Sequence, residues 1–150
     1  MALIRHFAVV LALVVVVAAP AMGQTPAAGR IKIATGTAFI VRQGVLIPAQ
    51  PGLAVYEADG LKTGSDGHLA VTLKDDTRVS LDPDSEIRLD RFVYAPSDGR
   101  LGLALKVVRG LIAYVSGRIA SLSRDAVRLE TPDAIVGIRG THLAIRVTPK

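Results

Sequence analysis

Val127–Val147 reads VRLETPDAIVGIRGTHLAIRV, and this stretch decides the fold class. Apolar and polar residues alternate along it, with breaks at Thr131-Pro132 and at Gly137-Ile138-Arg139-Gly140-Thr141. Valine, isoleucine, leucine and threonine at period two build strands, because successive side chains of an extended backbone point to opposite faces. A helix would need its apolar residues three and four apart. The glycines that bracket Arg139 mark a bend, a bulge or a close approach by another backbone.

The same grammar runs upstream. From Ile31 onward Gly36, Gly44, Pro48, Pro51, Gly52, Gly60, Gly64 and Gly67 interrupt every window long enough for an amphipathic helix. The chain therefore reads as all-β, with many short strands. Only Gly117–Asp125 leaves room for a short helix, and Ala120–Asp125 reads as a loop or a single helical turn. Leu103–Val115 (LALKVVRGLIAYV) reads as one long strand or a strand pair broken at Gly110.

A finer regularity suggests an architecture. Val71/Leu73, Val79/Leu81 and Ile87/Leu89 repeat an apolar-x-apolar unit every eight residues, as do Val127/Leu129, Ile135/Gly137 and Leu143/Ile145. Between the first three lie the turn formers Lys74-Asp75-Asp76-Thr77 and Asp82-Pro83-Asp84-Ser85. Such units fit the hairpins of a sandwich or the stacked rungs of a solenoid. Past the N-terminal apolar run the aromatic residues are Phe39, Tyr56, Phe92, Tyr94 and Tyr114 alone. An aliphatic core of that kind suits a narrow cross-section, which favours a short-rung β-solenoid.

The beginning of the chain points to export. Arg5 and His6 precede thirteen uninterrupted apolar residues, Phe7–Ala19, followed by Pro20 and Ala21-Met22-Gly23. A basic start, a short apolar run and small residues at a cut before Gln24 describe a secretory signal peptide over residues 1–23. A spanning helix would need about 20 apolar residues. A cut after Ala21 is the second possibility. No cysteine follows the run, which excludes a lipid-anchored cysteine, a disulfide or a thiolate metal site. Gln24–Arg30 (QTPAAGR) reads as a disordered leader, and residues 31–150 as one all-β domain.

Removing residues 1–23 takes away Arg5 and leaves 17 Lys and Arg against 13 Asp and Glu, a net charge of +4. These charges are scattered, whereas polyanion-binding tails carry them in blocks. Export and this scatter argue against nucleic acid as a partner. Anionic surface polymers remain compatible with the charge.

Several of these stretches together resemble the FecR domain family, bacterial periplasmic modules best known from iron-uptake signalling. They are Thr37–Gly44, Val55–Gly67 (VYEADGLKTGSDG), Ala70–Leu81, Pro83-Asp84-Ser85-Glu86-Ile87, Leu103–Val115, and Glu130-Thr131-Pro132 running to Gly140-Thr141. In the Asp75-Asp76-Thr77 turn Asp76 stands where the family pattern has glycine, which aspartate can replace in the left-handed region at some cost. The resemblance spans residues 33–147 and implies a β-solenoid-like or twisted two-layer all-β fold. It also implies a non-catalytic module that engages an envelope protein or a surface polymer. The best-known members are transmembrane regulators with a cytoplasmic anti-sigma segment. Here only Met1–His6 precede the apolar run, so the expectation is a free-standing periplasmic domain without a stable membrane span. The alternative is a signalling component that relays a transporter or ligand state to a membrane regulator.

Candidate chemistry is sparse. Asp82, Asp84 and Glu86 stand at alternate positions and would face one way in an extended segment. They could offer oxygens to a hard cation, but the spacing and glycine of a calcium loop are missing, and the segment reads as a turn. His68 and His142 stand apart from any metal-ligand spacing, and no nucleophile motif is present. No catalytic residue, metal ligand or cofactor is assigned, and a metal-dependent enzyme is the weakest of the readings. The structural or partner-contact candidates are Gly110, Gly137, Arg139, Gly140 and Thr141. Among them Arg139 reads as a fork held between two glycines and pinned by Asp133, Glu130 or a neighbouring strand. The closing strand Leu143–Val147 reads as an open edge able to accept a strand from another protein.

Overall fold

The computed structural model describes residues 23–138 and 141–149. The proposed signal peptide lies outside the described residues, apart from Gly23. So do Arg139 and Gly140.

Twelve strands among the described residues form one sheet, curled into a half-barrel. They are β1 (Gly29–Thr35), β2 (Ala38–Arg42), β3 (Val45–Pro48), β4 (Ala54–Val55), β5 (Gly60–Thr63) and β6 (His68–Leu73) in the first half. The second half holds β7 (Arg78–Leu81), β8 (Glu86–Ala95), β9 (Arg100–Val115), β10 (Val127–Glu130), β11 (Ile135–Val136) and β12 (His142–Val147). A five-residue helix, α1 (Arg118–Leu122), follows β9. The order across the sheet is β3-β2-β5-β8-β9-β7-β6-β1-β4, with β10 and β12 added to β9 and β11 added to β10.

β9 is the spine of this arrangement. Its first half pairs with β8 and, in parallel, with β10; its second half pairs antiparallel with β7 and β12. The two halves meet near Gly110, whose φ of +90 lies where an L side chain is strained. The break expected there is thus a change of neighbours within one strand.

Alternation explains which face is buried. Leu69, Val71, Val79, Leu81, Ile112 and Tyr114 fill one side of the core. Ile40, Leu61, Ile87, Leu89, Leu105 and Leu129 fill the other. Each such side chain stabilises the fold by about 1.5–3 kcal/mol relative to leaving it in water. The residues between them face solvent, as the burial pattern of β7 (exposed, buried, exposed, buried) shows directly.

The sheet topology corrects the solenoid expectation. β6 and β7 form an antiparallel hairpin in which Val71 opposes Val79 and Leu69 opposes Leu81. Ile87, the next member of the eight-residue series, sits elsewhere, between Leu61 and Val107. In the second series β10 pairs with β11, while β12 lies on the other half of β9. The eight-residue spacing is therefore the length of a short strand plus its turn. A rung and a hairpin arm of that length carry the same alternation, so period alone does not distinguish them.

Other local expectations match. Asp76 adopts φ +68, the left-handed value expected where it replaces glycine, and the helical turn after Gly117 is α1. The leader is shorter than expected. Ala28 is buried and donates its N–H to Val55, and β1 begins at Gly29.

Candidate functional site

Among the described residues five polar ones are fully buried: Asp59, Thr63, Asp75, Thr77 and Ser85. A buried polar group costs free energy unless it is hydrogen-bonded, so their partners show what they do.

Ser85 and Thr63 fasten the turn before β8 to the middle of β9. The Leu111 N–H donates to Ser85 Oγ at 3.0 Å, and that hydroxyl points at the carbonyls of Leu111 and Pro83, each at 3.2 Å. Thr63 Oγ1 accepts the Ser85 N–H at 3.0 Å and donates to the Asp82 carbonyl at 2.7 Å. Gly110 makes this possible. A Cβ on it would overlap the Ser85 side chain, as well as forcing a side chain into positive φ.

Asp75 and Thr77 fasten the β6–β7 turn to the start of α1. The Asp75 carboxylate accepts Thr77 Oγ1 at 2.7 Å, the Thr77 N–H at 3.1 Å and the Ile119 N–H at 3.2 Å. Its backbone carbonyl accepts the Arg118 N–H at 2.6 Å. Two donors at the helix start that have no intrahelical partner are thus satisfied by one residue. Gly117, the residue before α1, packs against the backbone of this turn where a Cβ would overlap Thr77 N and the Asp75 carbonyl.

Asp59 serves the far side of the sheet. Arg42 grips its carboxylate with two nitrogens, at 2.9 and 2.7 Å, and donates to the Ala54 carbonyl at 3.2 Å. Its guanidinium lies 4.7 Å from the centre of the Tyr56 ring. The hydrogen bond that Arg42 donates to Asp59 raises the arginine pKa further above its ordinary value. Gln24, Gln43 and Glu57 help to wall an open recess of about 500 Å³ around this group. Arg42 enters it with its charge already matched.

The residues singled out by sequence do not converge. Gly110 sits in the Ser85 clamp, opposite Val147 in the β9–β12 pairing. Thr141 lies beyond the other end of that pairing, where its carbonyl accepts the Ser116 N–H at 2.8 Å. The paired strands separate the two ends by roughly 17 Å. Gly137 is exposed, with open space where a Cβ would stand. Arg139 and Gly140 fall outside the described residues, and with them the expected ion pair of Arg139. Asp82 lies 3.7 Å from His68 and Glu86 3.7 Å from Arg109, while Asp84 occupies a left-handed turn. Among the described residues no group of three His, Asp or Glu could hold a metal ion.

The residues to which sequence reasoning gave no clamping role are Arg42, Asp59, Thr63, Asp75, Thr77, Ser85 and Gly117. For Asp75 and Thr77 a signal existed, because an aspartate two residues before a threonine in a hairpin turn can close on itself. For Arg42 and Asp59, separated by 17 residues, no local signal existed.

Among the described residues Tyr114 is the one large aromatic side chain fully inside the core, 2% exposed. Its hydroxyl makes no hydrogen bond of normal geometry. Burial pushes its pKa up; the nearby Ser116 and Thr77 hydroxyls act the other way and are outweighed.

Comparison with known proteins agrees with the pattern seen in the sequence. The model of a family described as FecR protein matches residues 59–150, more than half of the chain. The matched range begins at Asp59 and includes both buried hydroxyl clamps; β1 to β4 precede it. No curated protein and no solved structure matches the chain. Among the described residues no helix is long and apolar enough to cross a membrane.

Proposed function

The chain belongs to the FecR family, and on that premise we propose that it is an exported binding or scaffold module of the bacterial cell envelope, engaging a protein or a surface polymer. FecR-family domains are generally non-catalytic, and membership suggests a role in envelope signalling or regulation. The observation that carries the reading is the use made of the buried polar groups. Asp59, Thr63, Asp75, Thr77 and Ser85 each spend their hydrogen bonds on turns, strands and α1, so the interior chemistry serves to hold the sheet. Function is then left to the outer faces and edges of the sheet. The basic start and apolar run of residues 5–19 support export, with cleavage before Gln24.

A second reading stays within the same family. In it the domain relays the state of a transporter or ligand to a membrane regulator, as the family's association with envelope signalling suggests.

The test is crosslinking in the native envelope, followed by capture of the protein and mass spectrometry. Specific recovery of envelope structural proteins or polymers supports the scaffold reading. Recovery of a transporter or membrane regulator supports the relay. Recovery of nothing above the level of an unrelated periplasmic protein contradicts both.

A further inference from the structure

We propose that the outer edge of β12 takes up an extended segment of a partner protein as an added antiparallel strand, and that the segment is acidic on its outward face. This rests on the reading of the domain as a binding module and names the surface and the chemistry of the partner.

β12 runs six residues along β9, from His142 opposite Val115 to Val147 opposite Gly110. Among the described residues its other edge meets no strand. Proteins usually blunt such edges by shortness or proline. Among the described residues β4 and β11 are two residues long, and β3 has four and ends in Pro48, whereas the end of β8 past Leu89 is a second long free edge. β12 is neither short nor interrupted by proline.

The side chains say what would fit. On the inward face Ile145 closes the core, with Leu143 and Val147 half-buried beside it, so aliphatic residues on an added strand would extend the core. On the outward face β12 presents His142, Ala144 and Arg146. Arg146 makes no ion pair among the described residues, and it flanks a recess of about 430 Å³ shared with Arg109 and Asp84. Arg78, two strands away, lies in the same lateral row as Val115 and His142. A carboxylate opposite Arg146 would gain a cross-strand partner, and a lysine there would be repelled.

Two of the registers open to a second copy of this chain are disfavoured. Antiparallel self-pairing centred on Ala144 would set Arg146 against His142 of the second copy. Self-pairing over all six residues would oppose inward to outward side chains, which the pleat forbids.

The experiment uses acetylated, amidated eight-residue peptides, one alternating Glu and Val and one alternating Lys and Val, added to the isotope-labelled mature protein. Expected are binding of the Glu peptide at least about tenfold tighter than the Lys peptide and amide shifts concentrated in His142–Val147. Arg146→Glu should weaken the Glu peptide about tenfold, while Arg100→Glu, at the far end of β9, should not. Both side chains are exposed, and an unchanged melting temperature verifies that each variant is folded. Equal affinity for the two peptides, shifts centred away from β12, insensitivity to Arg146→Glu, or no binding would each overturn the proposal. Envelope crosslinking separates the two levels of failure. Partners captured equally by wild type and Arg146→Glu would reject the β12 edge and leave the binding module standing, whereas an absence of partners for wild type would reject the module itself.

Discussion

Ser85 occupies the space that a side chain on Gly110 would need, and from there its hydroxyl accepts the N–H of Leu111 at 3.0 Å. The glycine and the serine are one device. The first lets β9 turn through positive φ as it passes from one half of the sheet to the other, and the second satisfies the backbone exposed by that turn.

Removing either half should therefore destabilise the fold, by different amounts. Ser85→Ala leaves the buried Leu111 N–H without its acceptor and should cost about 1–3 kcal/mol in urea unfolding. Gly110→Ala adds backbone strain to an overlap with the Ser85 side chain and should cost more, about 3 kcal/mol or above. Combining Gly110→Ala with Ser85→Gly should recover part of that loss, because the overlapping atoms are gone. Additive losses in the double variant would show that the two residues act separately.

The Asp75 clamp predicts a dependence on charge and shape together. Asp75→Asn keeps the size but turns an amide N–H₂ toward the Thr77 and Ile119 donors, and should cost about 2 kcal/mol or more. Amide hydrogen exchange should then accelerate first at the start of α1, around Ile119, because that N–H is held by the carboxylate. Unchanged protection at Ile119 would mean that α1 does not depend on Asp75.

Arg42 and Asp59 make a less buried pair, so a smaller coupling is expected. Arg42 is about a third exposed, and a double-mutant cycle of Arg42→Ala with Asp59→Ala should give a coupling on the order of 1 kcal/mol. Arg42→Lys should not restore it, since one ammonium cannot make the two-nitrogen contact or lie as a plane against Tyr56.

Tyr114 predicts the alkaline limit of stability. Burial raises its pKa in the folded state, so the unfolded chain loses this proton first as pH rises. Stability is unaffected below the ordinary tyrosine value of about 10 and falls as pH climbs from there toward the raised folded value. Unfolding free energies measured between pH 8 and 11 should decline in wild type and decline less in Tyr114→Phe. Parallel curves would remove Tyr114 as the cause.

Much of the fold was legible in the sequence because its information is local. Alternation marked the strands, Gly110 marked the break in β9, and Asp76 marked a left-handed turn. What alternation does not encode is which strand lies beside which. Val71, Val79 and Ile87 carry one rhythm, yet Val71 and Val79 face each other and Ile87 lies between β5 and β9. The clamps were hidden for a related reason. Asp75 reaches Ile119 across 44 residues and Ser85 reaches Leu111 across 26, so neither contact leaves a pattern within a window of sequence. Of the predicted site residues, Gly110 lies against Ser85, and Gly137 and Thr141 lie at separate places on the surface.

The account depends most on the domain working outside the cytoplasm, and one measurement addresses that directly. The native protein should be recovered from a periplasmic extract and its intact mass determined. A chain that starts at Gln24, or at Met22 if the cut follows Ala21, in the periplasmic fraction is the predicted result. A cytoplasmic chain that still carries residues 1–23 would contradict it, and with it the assignment to the cell envelope.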